Sequence, residues 1–339
     1  MLIPAYSEEF STYYGNWRVT SEASLNRILS DTNVLGFKMP GEDALRALND
    51  HNGPAVTNSG PFFELVNDKH SPPSIQLIRA NTILLTREAL TGLAVVSSFP
   101  QRVFINFTDV CNARCLFCTN TPERVDNFVV PYDDVTRMAW LKYVDELSLH
   151  GGIGEPFAHP RITDILKYFK DTLPFLKVCT TTNASLMTDK IVKAITGYLK
   201  HITISINAAT ESTYEAIMPP LKWQRTLANI RRLAEEKYRL GTSLPFVNLS
   251  FVAHKDNIAE LPKLPAVAAS LGVNQVSLIH YWYPANIPTG YAFTEQHSLI
   301  NYTDLYDHYV GEAIKEFQRL AVPFNGSSRG LPPKIYIDR

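Results

Sequence analysis

The chain has 339 residues, 45% of them hydrophobic and 19% charged, enough for one large domain or two modest ones whose core needs no disulfide staples. Its 32 basic and 33 acidic residues leave a net charge of −1, so no basic excess points to nucleic acid or an anionic membrane as partner. No window of about 20 apolar residues is present to span a bilayer, and Met1–Phe10 lacks the basic and apolar runs of a signal peptide, so the expected compartment is the cytoplasm.

Residues 1–100 read as an N-terminal extension. Candidate helices cover Ser21–Ser30 and Glu42–Asn49, His51–Pro73 is rich in Gly, Pro and Asn and reads as loops, and Ile75–Thr86 reads as one or two strands. A structural role and a role in substrate recognition both remain open for this part.

From Arg102 the pattern becomes regular. Val103–Thr108 is a short apolar strand, Tyr132–Tyr143 a helix and Val144–His150 a second strand. Helix Arg161–Thr172 precedes strand Leu176–Thr182, and helix Thr188–Leu199, with its apolar stripe at Ile191, Val192, Ile195 and Leu199, precedes strand His201–Asn207. Helix Trp223–Arg239, strand Phe246–Ala253, helix Asn257–Leu271 and strand Val273–Tyr281 follow, and Thr303–Leu320 reads as a last helix. Strand and helix alternate six times over about 180 residues, which implies an α/β fold with a parallel sheet and right-handed crossovers. Six units are too few for a closed eight-fold barrel, so the expected architecture is a partial (β/α)6 TIM-like barrel over residues 101–285, with a short helical segment over 286–339. In such barrels function collects at the C-terminal ends of the strands.

Two motifs stand at those ends. Cys111-Asn-Ala-Arg-Cys115-Leu-Phe-Cys118 places three thiols in eight residues. Thiolates are soft ligands for an iron–sulfur cluster or for zinc. Three of them hold three irons of a cubane and leave the fourth open to a cofactor, whereas structural zinc wants four closed ligands. Cys179, His150 or His159 is the available fourth ligand for zinc; Cys179 lies mid-strand, about 13 Å below the strand's end at roughly 3.3 Å per residue. The second motif is His150-Gly-Gly-Ile-Gly-Glu155-Pro156, where glycines allow close backbone approach to a ligand and Glu155 suits an ammonium group; a plain glycine-rich turn is the alternative.

Together, about 35 residues apart, the two motifs resemble the signature of the radical S-adenosylmethionine (SAM) superfamily over roughly residues 102–283. Thr181-Thr182-Asn183-Ala184, Ser205-Ile206-Asn207-Ala208-Ala209-Thr210, Glu211–Ile217 and Asn257–Pro262 further resemble the branch that usually carries a C-terminal SPASM domain. Three departures accompany this. No cysteine follows Cys179 to hold an auxiliary cluster, Asn207 stands where Asp is common, and Met218 stands where Arg often follows.

The resemblance implies one [4Fe–4S] cluster on Cys111, Cys115 and Cys118, and SAM bound at the open iron and cleaved to a 5′-deoxyadenosyl radical that takes a hydrogen from substrate. It implies Phe117 near adenine, and Gly152, Gly154 and Glu155 at the methionine amino end. It implies Asn183, Ser205 and Asn207 for the carboxylate and ribose, with His280 and Tyr281 bordering adenine. An external one-electron reductant of flavodoxin or ferredoxin type is expected, with a small-molecule or peptide substrate of natural-product metabolism. Unless the sequence continues into a cysteine-rich domain, no auxiliary cluster serves as electron sink and a redox-neutral outcome is expected: epimerisation, rearrangement, elimination or decarboxylation, with Cys179 a candidate hydrogen donor. A peptide-modifying enzyme whose first 100 residues bind a leader peptide is a second reading, and a zinc-stabilised, non-catalytic binding barrel a third.

Overall fold

The computed structural model describes residues 97–118, 126–150, 152–281 and 293–326, with scattered positions between 75 and 85. The expected helices Ser21–Ser30 and Glu42–Asn49 and the loops of His51–Pro73 lie outside the described residues. The chain divides into two compact units. One comprises Met1–Val103, Arg137–Leu147 and Thr172–Leu176; the other Phe104–Thr136, Ser148–Asp171 and Lys177–Arg339.

In the first unit, the described positions of Ile75–Thr86 are helical, which corrects the strand expectation. Asn81, Thr82 and Leu84 are buried, a spacing that suits a helix face better than alternation across a sheet. Asn81 donates to Phe99 O at 2.9 Å and to Tyr143 O at 3.2 Å and accepts from Phe99 N at 2.8 Å. That places Phe99 flat on Tyr143, with centroids 5.0 Å apart.

The strands are β1 (Arg102–Phe104), β2 (Glu146–Ser148), β3 (Lys177–Thr182), β4 (His201–Ser205), β5 (Phe246–Ala253), β6 (Gln275–His280) and β7 (Phe324–Asn325). They lie side by side in chain order, and every pair from β3 to β7 is parallel. The order is open at β1 and β7, the partial-barrel arrangement expected, with one strand more than expected. Among the described residues from 97 onward the α-helices are α1 (Tyr132–Thr136), α2 (Ile162–Thr172), α3 (Asp189–Ile195), α4 (Glu211–Ile217), α5 (Trp223–Leu240), α6 (Leu264–Leu271) and α7 (Thr303–Arg319).

Two expected helices are interrupted. Tyr132–Tyr143 is a short α1 followed by a 3-10 turn at Ala139–Tyr143. Asn257–Leu271 begins as a 3-10 stretch, Ile258–Lys263, because Pro262 and Pro265 bring no N–H to an α ladder. Where the ladder is unbroken, periodicity governs. α2 buries Ile162, Ile165, Leu166 and Phe169, one stripe at i, i+3, i+4 and i+7. Phe107, just past β1, meets Phe169 at 6.2 Å, and burying such a ring stabilises by about 1.5–3 kcal/mol. α5 buries Trp223, Leu227, Ile230 and Leu233 and stops at Gly241, whose φ of +62° makes a left-handed cap. Among the described residues no helix is long and apolar enough to cross a membrane.

Candidate active site

All the parallel strands point their C-terminal ends the same way, so the loops that follow them share one rim. The cysteine loop follows β1. It is held from outside by backbone bonds, Arg114 N to Pro219 O at 2.6 Å and Leu116 N to Ile217 O at 2.9 Å, both at the end of α4. It is held from inside by Asn112, which donates to Ser185 Oγ at 2.8 Å and accepts from Asn183 Nδ2 at 3.0 Å. Cys111, Cys115 and Cys118 form no disulfide and are half-buried. Burial pushes the Cys111 thiol up to about 11, with Glu155 and Cys118 adding repulsion. Burial pushes Cys115 higher still, with the charges of Cys118 and Cys111 next. Thiols that resist ionising, as Cys111 and Cys115 do, suit a bound cation, which draws the protons off. Among the described residues no three His, Cys, Asp or Glu side chains converge to hold a single metal ion. Each iron of a cubane takes its own thiolate, so three soft donors spread along one pinned loop fit that group.

The second motif follows β2. Glu155 is 2% exposed. Its Oε1 accepts from Thr182 Oγ1 at 2.6 Å and Phe157 N at 3.2 Å, and its Oε2 from Asn183 N at 2.8 Å. Its own N–H donates to Val110 O at 2.8 Å. One residue thus ties the exits of β1, β2 and β3. Burial pushes its carboxyl up to about 6, against the opposing pull of the Thr182, Asn183 and Phe157 donors. Gly154 has φ +79°, and a Cβ there would sit 2.3 Å from Thr108 O, so the close approach is to the chain's own β1 exit. Gly152 has φ +115° and open space around it, which leaves its backbone accessible.

The remaining expected residues fall on neighbouring exits. Asn183 is buried, with its amide taken by Asn112 and Ser185. Ser205 ends β4 half-buried, and its hydroxyl bonds no described residue. Asn207, at φ +53°, is buried; it accepts from Val252 N at 2.7 Å and donates to Met218 Sδ at 3.4 Å. Its side chain therefore braces the β4 exit against β5. His280 ends β6, lies 5.0 Å from the Tyr306 ring, and keeps a buried Nδ1 with no described partner. Tyr281 is buried against Phe293 at 5.4 Å. Phe117 packs on His254 at 5.9 Å and Phe293 at 6.1 Å. Cys179 lies within β3, its carbonyl bonded by Leu149 N. His159 accepts from Arg161 N at 3.1 Å through Nδ1 and meets Val130 O at 2.9 Å through Nε2, so both its nitrogens are taken.

Four residues to which the sequence analysis assigns no role belong to this rim. Asn112 is an unspecified position inside the cysteine motif. Glu260 accepts from Ala209 N at 2.8 Å, Thr210 N at 3.1 Å and Thr213 Oγ1 at 2.9 Å, and also from the Thr210 hydroxyl, so it shapes the β4 exit from beyond β5. Asn257 donates to Asn207 O and Val252 O, each at 2.9 Å. His254 is fully buried, and burial, then the charge of His297, pushes its imidazole down to about 3, so it is neutral. For Asn257 and Glu260 the sequence signal was membership of the Asn257–Pro262 segment, which names no role for either, and for His254 it was only a His just after a strand.

Comparison with known proteins follows the same residues. The family model for the Radical SAM superfamily matches residues 105–263. A protein named "Probable GTP 3',8-cyclase" from Saccharolobus islandicus is 30% identical over 176 residues, 52% of this chain and 55% of that protein. The "PqqA peptide cyclase" of Gluconobacter oxydans is 27% identical over 187 residues, 54% of this chain and 50% of that protein. The chain thus spans about half the length of the curated relatives it matches. Among solved structures, Streptococcus suis SuiB bound to S-adenosylmethionine shares the fold, with a TM-score of 0.55 and 19% identity over 74% of this chain and 55% of that one.

Proposed function

The chain belongs to the radical SAM superfamily, and on that premise we propose that it abstracts a hydrogen atom from a small polar or peptide substrate, with a redox-neutral outcome. The carrying observation is the cysteine loop: three half-buried thiols pinned through Asn112 to the β3 exit and through Arg114 and Leu116 to the end of α4. When bound, a [4Fe–4S] cluster and SAM supply a primary carbon radical.

In this reading Cys111, Cys115 and Cys118 hold the cluster. Glu155 keeps the β2 turn in place, so that the backbone at Gly152 and Gly154 and the remaining lone pair of Glu155 receive the methionine ammonium. Ser205, whose hydroxyl is uncommitted, meets the carboxylate or ribose, with Asn183 and Asn207 shaping that wall. Phe117, His280 and Tyr281 border the adenine and exclude water, which keeps a radical from side reactions. An external one-electron reductant of flavodoxin or ferredoxin type feeds the site. The redox-neutral part of the reading concerns these 339 residues, in which Cys179 is the only cysteine outside the motif and cannot by itself hold a second cluster. The substrate range rests on relatives named for a GTP cyclase and a peptide cyclase.

The test is anaerobic reconstitution followed by reduction in the presence of SAM. The expected product is 5′-deoxyadenosine, absent from Cys115→Ala. Cluster assembly without any SAM cleavage would refute the reading. With substrate in hand, a product two hydrogens lighter, formed once per deoxyadenosine, would refute the redox-neutral outcome.

A further inference from the structure

A cavity of about 530 Å3 opens between α3 and α5. Its floor is polar and buried, formed by Ser185 and Asn229, and three cations stand over it: Lys190, Arg225 and Arg232. The only acid in the lining is Asp189.

Arg232 is held in place. Its Nε pairs with Asp189 Oδ1 at 2.8 Å, and its Nη1 donates to Asn229 Oδ1 at 2.9 Å and Met187 O at 3.2 Å. These bonds leave Nη2 for an anion, and a guanidinium already fixed in direction loses little freedom on meeting one. Lys190 and Arg225 are exposed, and neither has an ion pair or hydrogen bond with a described residue; the charge of Lys190 reaches only as far as a modest pull on Asp164. Three cations against the single carboxylate of Asp189 leave the lining net positive, which concentrates anions there. The volume falls within the range of about 300–1,000 Å3 typical of ligand pockets, larger than one phosphate needs.

The floor also leads to the cysteine loop. Asn229 donates to Ala184 O at 2.8 Å and Ser185 O at 3.1 Å, and Ser185 Oγ accepts from Asn112 between the first two cysteines. The cavity and the thiols are thus two faces of one hydrogen-bonded wall.

We propose that this cavity is a binding site for a ligand carrying at least two negative charges, as phosphate or as carboxylate groups, held by Arg232, Arg225 and Lys190. The proposal concerns binding alone, so its failure leaves the radical chemistry untouched.

The experiment is isothermal titration of the cluster-reconstituted chain with two probes, tripolyphosphate and a hexaglutamate peptide, against a hexaglutamine control. At least one anion should bind more tightly than the control and weaken as salt is added. In the double variant Lys190→Glu, Arg225→Glu that affinity should fall at least about tenfold, the scale of one lost hydrogen bond to a charged group, with iron content and melting temperature unchanged. Arg225→Gln, the milder change, should lose about half of that effect on a logarithmic scale. Binding of tripolyphosphate alone identifies phosphate as the ligand chemistry, and binding of hexaglutamate identifies carboxylates. Neither anion exceeding hexaglutamine, or undiminished binding in the double variant, would overturn the proposal.

Discussion

Asn112 and Asn183 stand 71 positions apart in the chain, and their side-chain amides meet at 3.0 Å. The contact closes the cysteine loop onto the β3 exit, and Ser185 completes it by accepting from Asn112 and donating to Asn183. Asn112→Ala removes both bonds of that side chain. At about 1 kcal/mol each, the variant should melt earlier, and its reconstituted cluster should lose iron faster on desalting. Iron retention equal to wild type would show that the backbone bonds to Pro219 and Ile217 suffice.

The cysteine assignments predict an iron count. The wild type should reconstitute to about four irons per chain, the content of one cubane. Cys179→Ala should hold the same number, since Cys179 lies within β3 and outside the loop. Cys111→Ala, Cys115→Ala and Cys118→Ala should each fall well below it. Loss of iron in Cys179→Ala would make that residue a ligand.

Glu155 gives a signed pH dependence. Its folded-state carboxyl is raised from 4.5 to about 6 by burial. The native chain therefore binds more protons than the unfolded one between those values. The stability Glu155 contributes is present below about 4.5 and declines as pH rises through about 6. A shift of that size corresponds to about 2 kcal/mol. In urea unfolding of the cluster-free chain, Glu155→Gln should flatten the slope between pH 4.5 and 6.5 relative to wild type. Parallel profiles for the two proteins would contradict the assignment.

The two glycines of the β2 turn should respond unequally. Gly154→Ala puts a methyl 2.3 Å from Thr108 O at a φ of +79°, so the strand exit has to move. Gly152→Ala meets no atom within 4 Å and carries only the strain of its φ, +115°. Residues held in such backbone regions cost about 1–3 kcal/mol. Gly154→Ala should exceed that and Gly152→Ala should stay within it, as read from urea midpoints. Equal midpoints would mean the β1 exit yields freely.

The sheet was legible because its strands alternate with helices of strong 3.6-residue periodicity. β5 runs from Phe246 to Ala253 as its apolar pattern predicts, and α5 ends within one residue of its expected limit. The interruptions were less legible. Pro262 and Pro265 marked the trouble in Asn257–Leu271, yet the apolar stripe across them reads as one helix. β7 has two residues, too short for any period to register. The helical character of Ile75–Thr86 was hidden by β-branched residues that favour strands until the burial of Asn81 outweighs them. At the site, residue type and spacing revealed the thiols. They could not reveal the roles of Asn112, Asn257 or Glu260, which lie in partners far along the chain, 73 residues away for Asn112–Ser185 and 50 for Asn257–Asn207 and Glu260–Thr210.

Because the strands lie in the sheet in the order of the chain, each one can add to a completed neighbour as the polypeptide leaves the ribosome. The cysteine loop is the exception. It emerges early, but its braces at Ser185, Ile217 and Pro219 are translated about 70 to 100 residues later. Until then its thiols belong to a growing chain with no wall to rest on, exposed to oxidants and stray metals. Bracing of the loop thereby waits for synthesis of α4, and a pause in translation between the loop and that helix would lengthen the time its thiols spend unbraced, even where the finished fold is stable.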